Sequence, residues 1–315
     1  MLSTSAFIHA MVPLYIMAGI GFLARKKRIF NNSANQVMTQ LMLYITLPAL
    51  ILFSLNTAFS IKLLIDFIWL VAMSIFVLSM SIMVAFVLRK KAVLPDNQKS
   101  VYESLIIFGN QGFIGFAVSY ILMSDQGIIY LTLFNICYFV LIWTYGIYLF
   151  TKKEQTINWK LLFLNPGILT TLIGLCMLFL PLSWPAVILD TLEDIGKMTV
   201  PLSMLLIGSM LADVRLPDMK KYSQNSHIWI AALYKLLILP SFLLVFLFLP
   251  VPYPLLIIAV LTAAMPSAST TSVYAQKFGG DTAFSSFGVI ISTLLCVLTI
   301  PLLYSILQSL HAYFY

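Results

Sequence analysis

Long apolar runs constrain this chain more than any other feature of its sequence. A helix of about 20 residues spans the roughly 30 Å hydrocarbon core of a bilayer, and runs of that length recur from end to end. Of the 315 residues, 61% are hydrophobic and 9% are charged, whereas soluble domains carry about 25% charged residues. The alternation typical of barrel strands is absent, and only helices can then satisfy their own backbone in lipid. The sequence therefore predicts an all-α integral membrane protein.

The apolar runs divide the chain into ten predicted transmembrane helices. Their approximate bounds are 6–24, 34–55, 62–88, 100–123, 127–150, 161–181, 190–211, 227–249, 254–276 and 282–308.

The distribution of positive charge predicts the orientation of these spans. Alternate loops hold 15 of the 18 lysines and arginines, and the other loops with both tails hold only Lys62. Because cytoplasmic loops of membrane proteins carry the excess of basic residues, both termini are expected outside, in the plasma (inner) membrane. The net charge of +7 is thus topological and does not indicate nucleic-acid binding, although it also favours contact with anionic lipid heads.

Short motifs recur at a constant offset and suggest an internal repeat. Pro13 and Gly21 of span one reappear as Pro166 and Gly174 of span six, and Thr46-Leu47-Pro48 reappears as Thr199-Val200-Pro201. Five spans in each half is an odd number, so the halves, residues 1–150 and 161–315 with a cytoplasmic linker at 151–160, would have opposite orientations. Inverted repeats are common in secondary transporters, although prolines and glycines are also frequent in membrane helices generally. Pro48, Pro201 and Gly115 are the expected hinge or structural positions.

Two spans carry interruptions at equivalent places in the two halves. Span four reads Phe108-Gly109-Asn110-Gln111-Gly112-Phe113-Ile114-Gly115, and span nine reads Met265-Pro266-Ser267-Ala268-Ser269-Thr270. Glycines and a mid-membrane proline weaken a helix, and paired broken helices are the best sequence indication of a transport site. The alternative is a close helix crossing in which the hydroxyls bond back to their own helix.

The residue types at the interruptions favour an anionic substrate. A helix that restarts inside the membrane presents free N–H groups and the positive end of its dipole, which attract an anion. The predicted substrate-binding residues are Gly109, Asn110, Gln111, Gly112, Pro266, Ser267, Ser269, Thr270, Asn135 and Lys235. Lys235 is the deepest cation; it either neutralises the substrate or forms a structural bridge to a carbonyl or carboxylate. Lys197 is explained by an i, i+4 pair with Glu193.

The same motifs resemble the auxin efflux carrier family, which includes plant PIN-formed carriers and bacterial organic-acid permeases. The resemblance covers nearly the whole chain. It is carried by Leu43–Leu50, Gly109–Gly115, Trp143–Gly146, Leu206–Gly208, Lys235–Pro240 and Met265–Ala268, and the short loop at 151–160 is typical of bacterial members.

The resemblance implies a particular architecture and activity. Two inverted five-helix repeats would contain broken, crossed helices four and nine. Spans 1, 2, 6 and 7 would form a dimerising scaffold, and spans 3–5 and 8–10 a transport domain. The substrate would be a small mono- or dicarboxylate such as malonate, malate or auxin, with Asn110 as the best contact.

Other functions are less well supported by the sequence. No motif of a membrane enzyme is present, and neither the three cysteines nor the three histidines have the spacing of a metal site, so no metal or cofactor is expected. A drug/metabolite-type exporter, a channel and a non-transporting receptor of the same fold remain alternatives. The coupling ion and the direction of transport stay open.

Overall fold

A computed structural model describes residues 3–57, 60–151, 166–180, 183–212 and 222–314. Of the linker predicted at 151–160, the described residues include only Thr151. The start of predicted span six lies outside them, and so do the basic residues Lys152, Lys153, Lys160, Arg215, Lys220 and Lys221.

The described residues form eleven helical segments and no strands. Their bounds are α1 Thr4–Lys26, α2 Asn32–Ser54, α3 Ile61–Lys91, α4 Asp96–Ile107, α5 Gln111–Thr151, α6 Pro166–Phe179, α7 Ala186–Leu211, α8 Ser226–Phe248, α9 Tyr253–Ala263, α10 Thr270–Phe278 and α11 Thr282–Phe314.

Seven of these helices are long and apolar enough to cross a membrane, namely α1, α2, α3, α5, α7, α8 and α11. Helices α6 and α9 are apolar but shorter. The chain is therefore a multi-pass, all-helical membrane protein, and the count of ten spans stays a prediction. Predicted span nine is divided between α9 and α10, and predicted span four between α4 and the start of α5. The backbone of α5 leaves the helical region at Met123 and Ser124, between the fourth and fifth predicted spans.

Local chemistry explains where the helices begin, bend and end. The side chains of Ser3, Asn31, Asn225 and Asp281 accept hydrogen bonds from the N–H groups of the following first turns, as N-caps do. Helix α10 ends at Gly279, whose φ of 77° is left-handed and suits glycine.

Proline shapes two of the long helices. Wide π-turns span Met42–Thr46 in α2 and Tyr234–Ile238 in α8, and each ends two residues before a proline. Leu47 N therefore donates to Met42 O, and Leu239 N to Tyr234 O, five residues back. A proline lacks the N–H and crowds the carbonyl four residues earlier, and the wider turn relieves that crowding.

The chain forms two compact units. Unit 1 consists of Met1–Ile68, Gly112–Ile136 and Lys160–Asp213; within it α1 packs along α7, and α2 packs on α6 and α7. Unit 2 consists of Trp69–Gln111, Cys137–Trp159 and Val214–Tyr315; within it α4 contacts α8, α10 and α11. On α7, Lys197 Nζ lies 2.6 Å from Glu193 Oε1, which confirms the predicted pair.

Candidate functional site

The first interruption separates α4 from α5. Helix α4 ends at Ile107, Phe108 is extended with φ −92° and ψ 123°, and helical structure resumes at Gln111. Glycine is among the poorest helix formers, and Gly109 stands at the centre of this break. The residues at 108–110 therefore leave backbone groups that the helix itself does not use.

The second interruption lies between Ala263, where α9 ends, and Thr270, where α10 begins. Pro266 lacks an N–H group and cannot continue the hydrogen-bond pattern of α9. The region is deeply buried: Ala264, Met265 and Ser267 are each 1% exposed or less. Buried backbone of this kind must find partners elsewhere.

Within unit 2 the two interruptions satisfy each other. Gly109 and Ser267 form an antiparallel bridge, in which Asn110 N donates to Pro266 O at 2.6 Å and Ala268 N donates to Phe108 O at 2.9 Å. The sequence predicts that N–H groups at both breaks are free for an anion. For Asn110 and Ala268 that expectation is wrong, because the carbonyls of the opposite break already occupy them.

Hydroxyl groups add further hydrogen bonds around the bridge. Ser267 Oγ donates to Leu105 O at 2.7 Å, and Ser267 N donates to Ser292 Oγ at 3.0 Å. Ser104 and Thr271 join α4 to α10 through a hydroxyl pair at 2.9 Å. Ser267, a predicted substrate ligand, therefore uses its hydroxyl to bind α4 and its N–H to bind α11.

Lys235 brings a positive charge to the bridge. It lies in the π-turn of α8, is 3% exposed, and its Nζ is 3.4 Å from Ile107 O at the carboxyl end of α4. A Cβ atom added to Gly109 would lie 2.9 Å from this Nζ, so glycine is what allows the ammonium so close to the backbone. Among the described residues no carboxylate forms an ion pair with Lys235.

Several polar groups near the bridge remain available to a ligand. The amide of Asn110 makes no hydrogen bond within the described part of the chain and is 8% exposed. Gln111 Oε1 and Thr270 Oγ1 are buried without a partner there, and the N–H groups of Ser269 and Thr270, at the start of α10, have no acceptor. These groups, with Lys235, can bind an anion that also carries hydrogen-bonding oxygen atoms.

The structure brings together Gly109, Asn110, Pro266, Ser267 and Lys235, and Gln111, Ser269 and Thr270 follow them directly in unit 2. The other predicted residues, Gly112 and Asn135 with Pro48, Pro201 and Gly115, belong to unit 1. The amide of Asn135 is fully buried, and neither its oxygen nor its nitrogen has a partner among the described residues.

Sequence reasoning missed several residues of this arrangement, namely Ser104, Ser292 and Tyr138. The hydroxyl of Tyr138 donates to Gly109 O at 2.6 Å, and its ring packs edge-on against Phe108 with centroids 6.1 Å apart. A tyrosine in the middle of an apolar span needs a partner for its hydroxyl, so the position of Tyr138 could have indicated a buried hydrogen bond.

A second missed feature is a buried ion pair. Glu103 is fully buried; its Oε2 lies 2.6 Å from Arg89 Nη1, and its Oε1 accepts from Tyr145 at 2.7 Å. The sequence places Glu103 only near the inner end of a span. Its pairing fixes α4 five residues before Phe108, through Arg89 of α3 and Tyr145 of α5.

The long apolar helices and the buried polar site between broken helices define a multi-pass membrane protein. The sequence profile of the membrane transport protein family matches residues 6–159 and 154–304. The chain belongs to this family, the auxin efflux carrier or PIN-like membrane transporters, as its motifs predicted. Among curated proteins, no significant relative was found.

Proposed function

We propose that the chain is a secondary transporter that carries a small organic anion by alternating access. The family makes it a membrane transporter. The observation that supports an anionic substrate is Lys235, a buried ammonium without a carboxylate partner among the described residues, held beside the bridge between Gly109 and Ser267. An unpaired buried charge is costly, so a function that supplies its counter-charge accounts for its presence.

The neutral groups complete the proposed site. The amide of Asn110 can donate to a carboxylate oxygen, and Gln111 and Thr270 can bond the remaining polar atoms of a small acid. The free N–H groups of Ser269 and Thr270 lie at the start of α10. The positive end of this helix dipole adds to the positive charge of Lys235. Asn110 is the proposed main contact, and Gly109 allows the lysine to approach.

Two further parts of the proposal concern the assembly and its placement. The protein would lie in the plasma membrane with both termini outside, and spans 1, 2, 6 and 7 would form the contact of a homodimer. Labelling of a cysteine introduced at a terminus, in whole cells, tests the orientation of the termini. The mass of the purified protein in detergent tests the homodimer.

Transport itself is tested with purified protein in proteoliposomes. Saturable uptake of labelled mono- or dicarboxylates or of indole acetate is expected, after a thermal-shift screen has selected the candidates. The variant Asn110→Ala is expected to abolish saturable transport while the protein stays folded. Gln36→Ala, at an exposed amide of α2, is the matched control and should transport normally.

Any of three results would contradict the proposal. Unchanged transport by Asn110→Ala would remove the site assignment, and binding of an acid without any flux would favour a receptor. Flux that never saturates would indicate a channel.

A further inference from the structure

The charges around the bridge restrict the substrate further. We infer that the site accepts anions of a single negative charge, one carboxylate opposite Lys235, and rejects dianions. The inference rests on the proposed function and narrows its substrate class from mono- or dicarboxylates to monovalent anions.

Few ionisable side chains are buried among the described residues. The buried ionisable side chains of the described residues are Asp66, Glu103 and Lys235. Glu103 is paired with Arg89, and Asp66 lies in unit 1, where it accepts a hydrogen bond from Tyr130. Lys235 is therefore the one buried lysine or arginine in the described part of unit 2, and it supplies one positive charge.

Several of the backbone hydrogen-bond donors at the two breaks already have acceptors. The N–H groups of Asn110, Ser267 and Ala268 are occupied, so the breaks contribute fewer donors than two open helix ends would. The donors that remain belong to the amides of Asn110 and Gln111 and to the N–H groups of Ser269 and Thr270, and they are neutral. They orient an anion and add partial positive charge at the helix ends, but they supply no second full charge.

A second carboxylate in this site would be buried without a counter-ion. Removing one partner of a buried ion pair is strongly unfavourable, and an unmatched second carboxylate has the same defect. We expect a monoanion to bind at least about a hundredfold more tightly than a dianion of similar size and shape. A half-protonated dicarboxylic acid counts as a monoanion.

The same charge balance determines which step of the cycle responds to voltage. With a monoanion bound the site is neutral, and the loaded carrier crosses without moving net charge. With Lys235 protonated, the empty carrier returns with one positive charge. During export the empty site returns from outside to inside, so a membrane potential that is negative inside pulls the positive site in the required direction.

The substrate test compares malonate with its monomethyl ester and succinate with butyrate, in binding to the wild-type protein and in proteoliposome uptake. The monoanions are expected to bind at least about a hundredfold more tightly, and binding of the two diacids should improve on acidification as they become half-protonated. Equal affinity for malonate dianion and its monoester would overturn the inference. Transport of no organic anion at all would instead overturn the proposed function.

The voltage test uses potassium gradients with valinomycin to set the potential. Exchange of labelled for unlabelled monoanion should be insensitive to potential, whereas net efflux should rise with negative potential inside. Lys235→Arg should retain both behaviours, and Lys235→Met should lose most affinity for monoanions and make any remaining exchange voltage-dependent. Lys197→Met, at an exposed lysine of unit 1, is the control. Voltage-dependent exchange by the wild type, or net efflux that carries one proton per anion, would overturn the assigned charge balance.

Discussion

The two units of the molecule differ in the contacts that bring their helices closest together. In unit 1 the backbones touch: a Cβ added to Gly21 of α1 would lie 2.1 Å from Leu205 O, and one added to Gly208 of α7 would lie 1.8 Å from Ala18 O. In unit 2 the broken helices are joined by hydrogen bonds, through the bridge at Gly109 and through side chains that donate to freed carbonyls.

The difference has a physical basis in the membrane. Lipid gives little hydrophobic driving force between helices, so association depends on close packing of small residues or on polar bonds. Close packing leaves no room for a ligand, whereas a polar junction keeps some groups unpaired and able to bind. We therefore propose that unit 1 acts as a rigid support and unit 2 as the binding element.

The largest effect is expected from closing the glycine contact in unit 1. Gly208→Ala places a methyl group inside the van der Waals distance of Ala18 O and must push α1 away from α7. We expect a loss of about 3 kcal/mol of stability, the upper part of the usual range for overpacking, and little folded protein by size-exclusion in detergent.

Gly19→Ala is the control for this change. Nothing lies within 4 Å of a Cβ at Gly19 of α1, so the variant should behave as the wild type does. Equal stability of Gly208→Ala and Gly19→Ala would show that close packing does not hold α1 to α7.

A smaller effect is expected at the ion pair in unit 2. Glu103→Gln keeps the shape of the side chain but removes the charge opposite Arg89, whose side chain is 30% exposed. Loss of a fully buried pair costs more, and partial access of the arginine to water reduces the penalty to about 2 kcal/mol. Thermal unfolding in detergent measures it.

The exposed pair of Lys99 and Asp96, 3.2 Å apart, supplies the comparison. Asp96 is 76% exposed there, so Asp96→Asn should leave the unfolding temperature nearly unchanged. If both variants lose the same stability, burial of Glu103 is not what makes its pair important.

The sequence was sufficient for those features that depend on local composition. Apolar run length predicted the membrane class, and Gly109 and Pro266 predicted where the helices break. Gly21 and Gly174, equivalent in the predicted repeat, both lie against other helices of unit 1, at Leu205 and Leu55 respectively. The repeat and the ten-span count nevertheless stay predictions.

Features that depend on distant partners could not be obtained in this way. That Asn110 N donates to Pro266 O, and so is lost to a ligand, follows from the approach of two segments more than 150 residues apart in the chain. The sequence indicated that Lys235 lies deep in a span, but not that the π-turn before Pro240 carries it or that its ammonium reaches Ile107 O. Helix periodicity cannot anticipate such backbone contacts.

The smallest structural change tests the polar junction of unit 2 alone. Tyr138→Phe removes the hydroxyl that donates to Gly109 O at 2.6 Å and keeps the ring against Phe108. A carbonyl left without its donor costs about 1–2 kcal/mol, so the unfolding temperature should fall only slightly. Because Gly109 lies beside both Lys235 and the backbone of the opposite break, we expect a clear fall in transport affinity at a modest cost in stability. Tyr44→Phe, at an exposed tyrosine of α2, should change neither. A Tyr138→Phe protein with unchanged transport kinetics would mean that the bridge keeps its geometry without this bond, and that the main-chain pair at Asn110 and Ala268 suffices to hold the site.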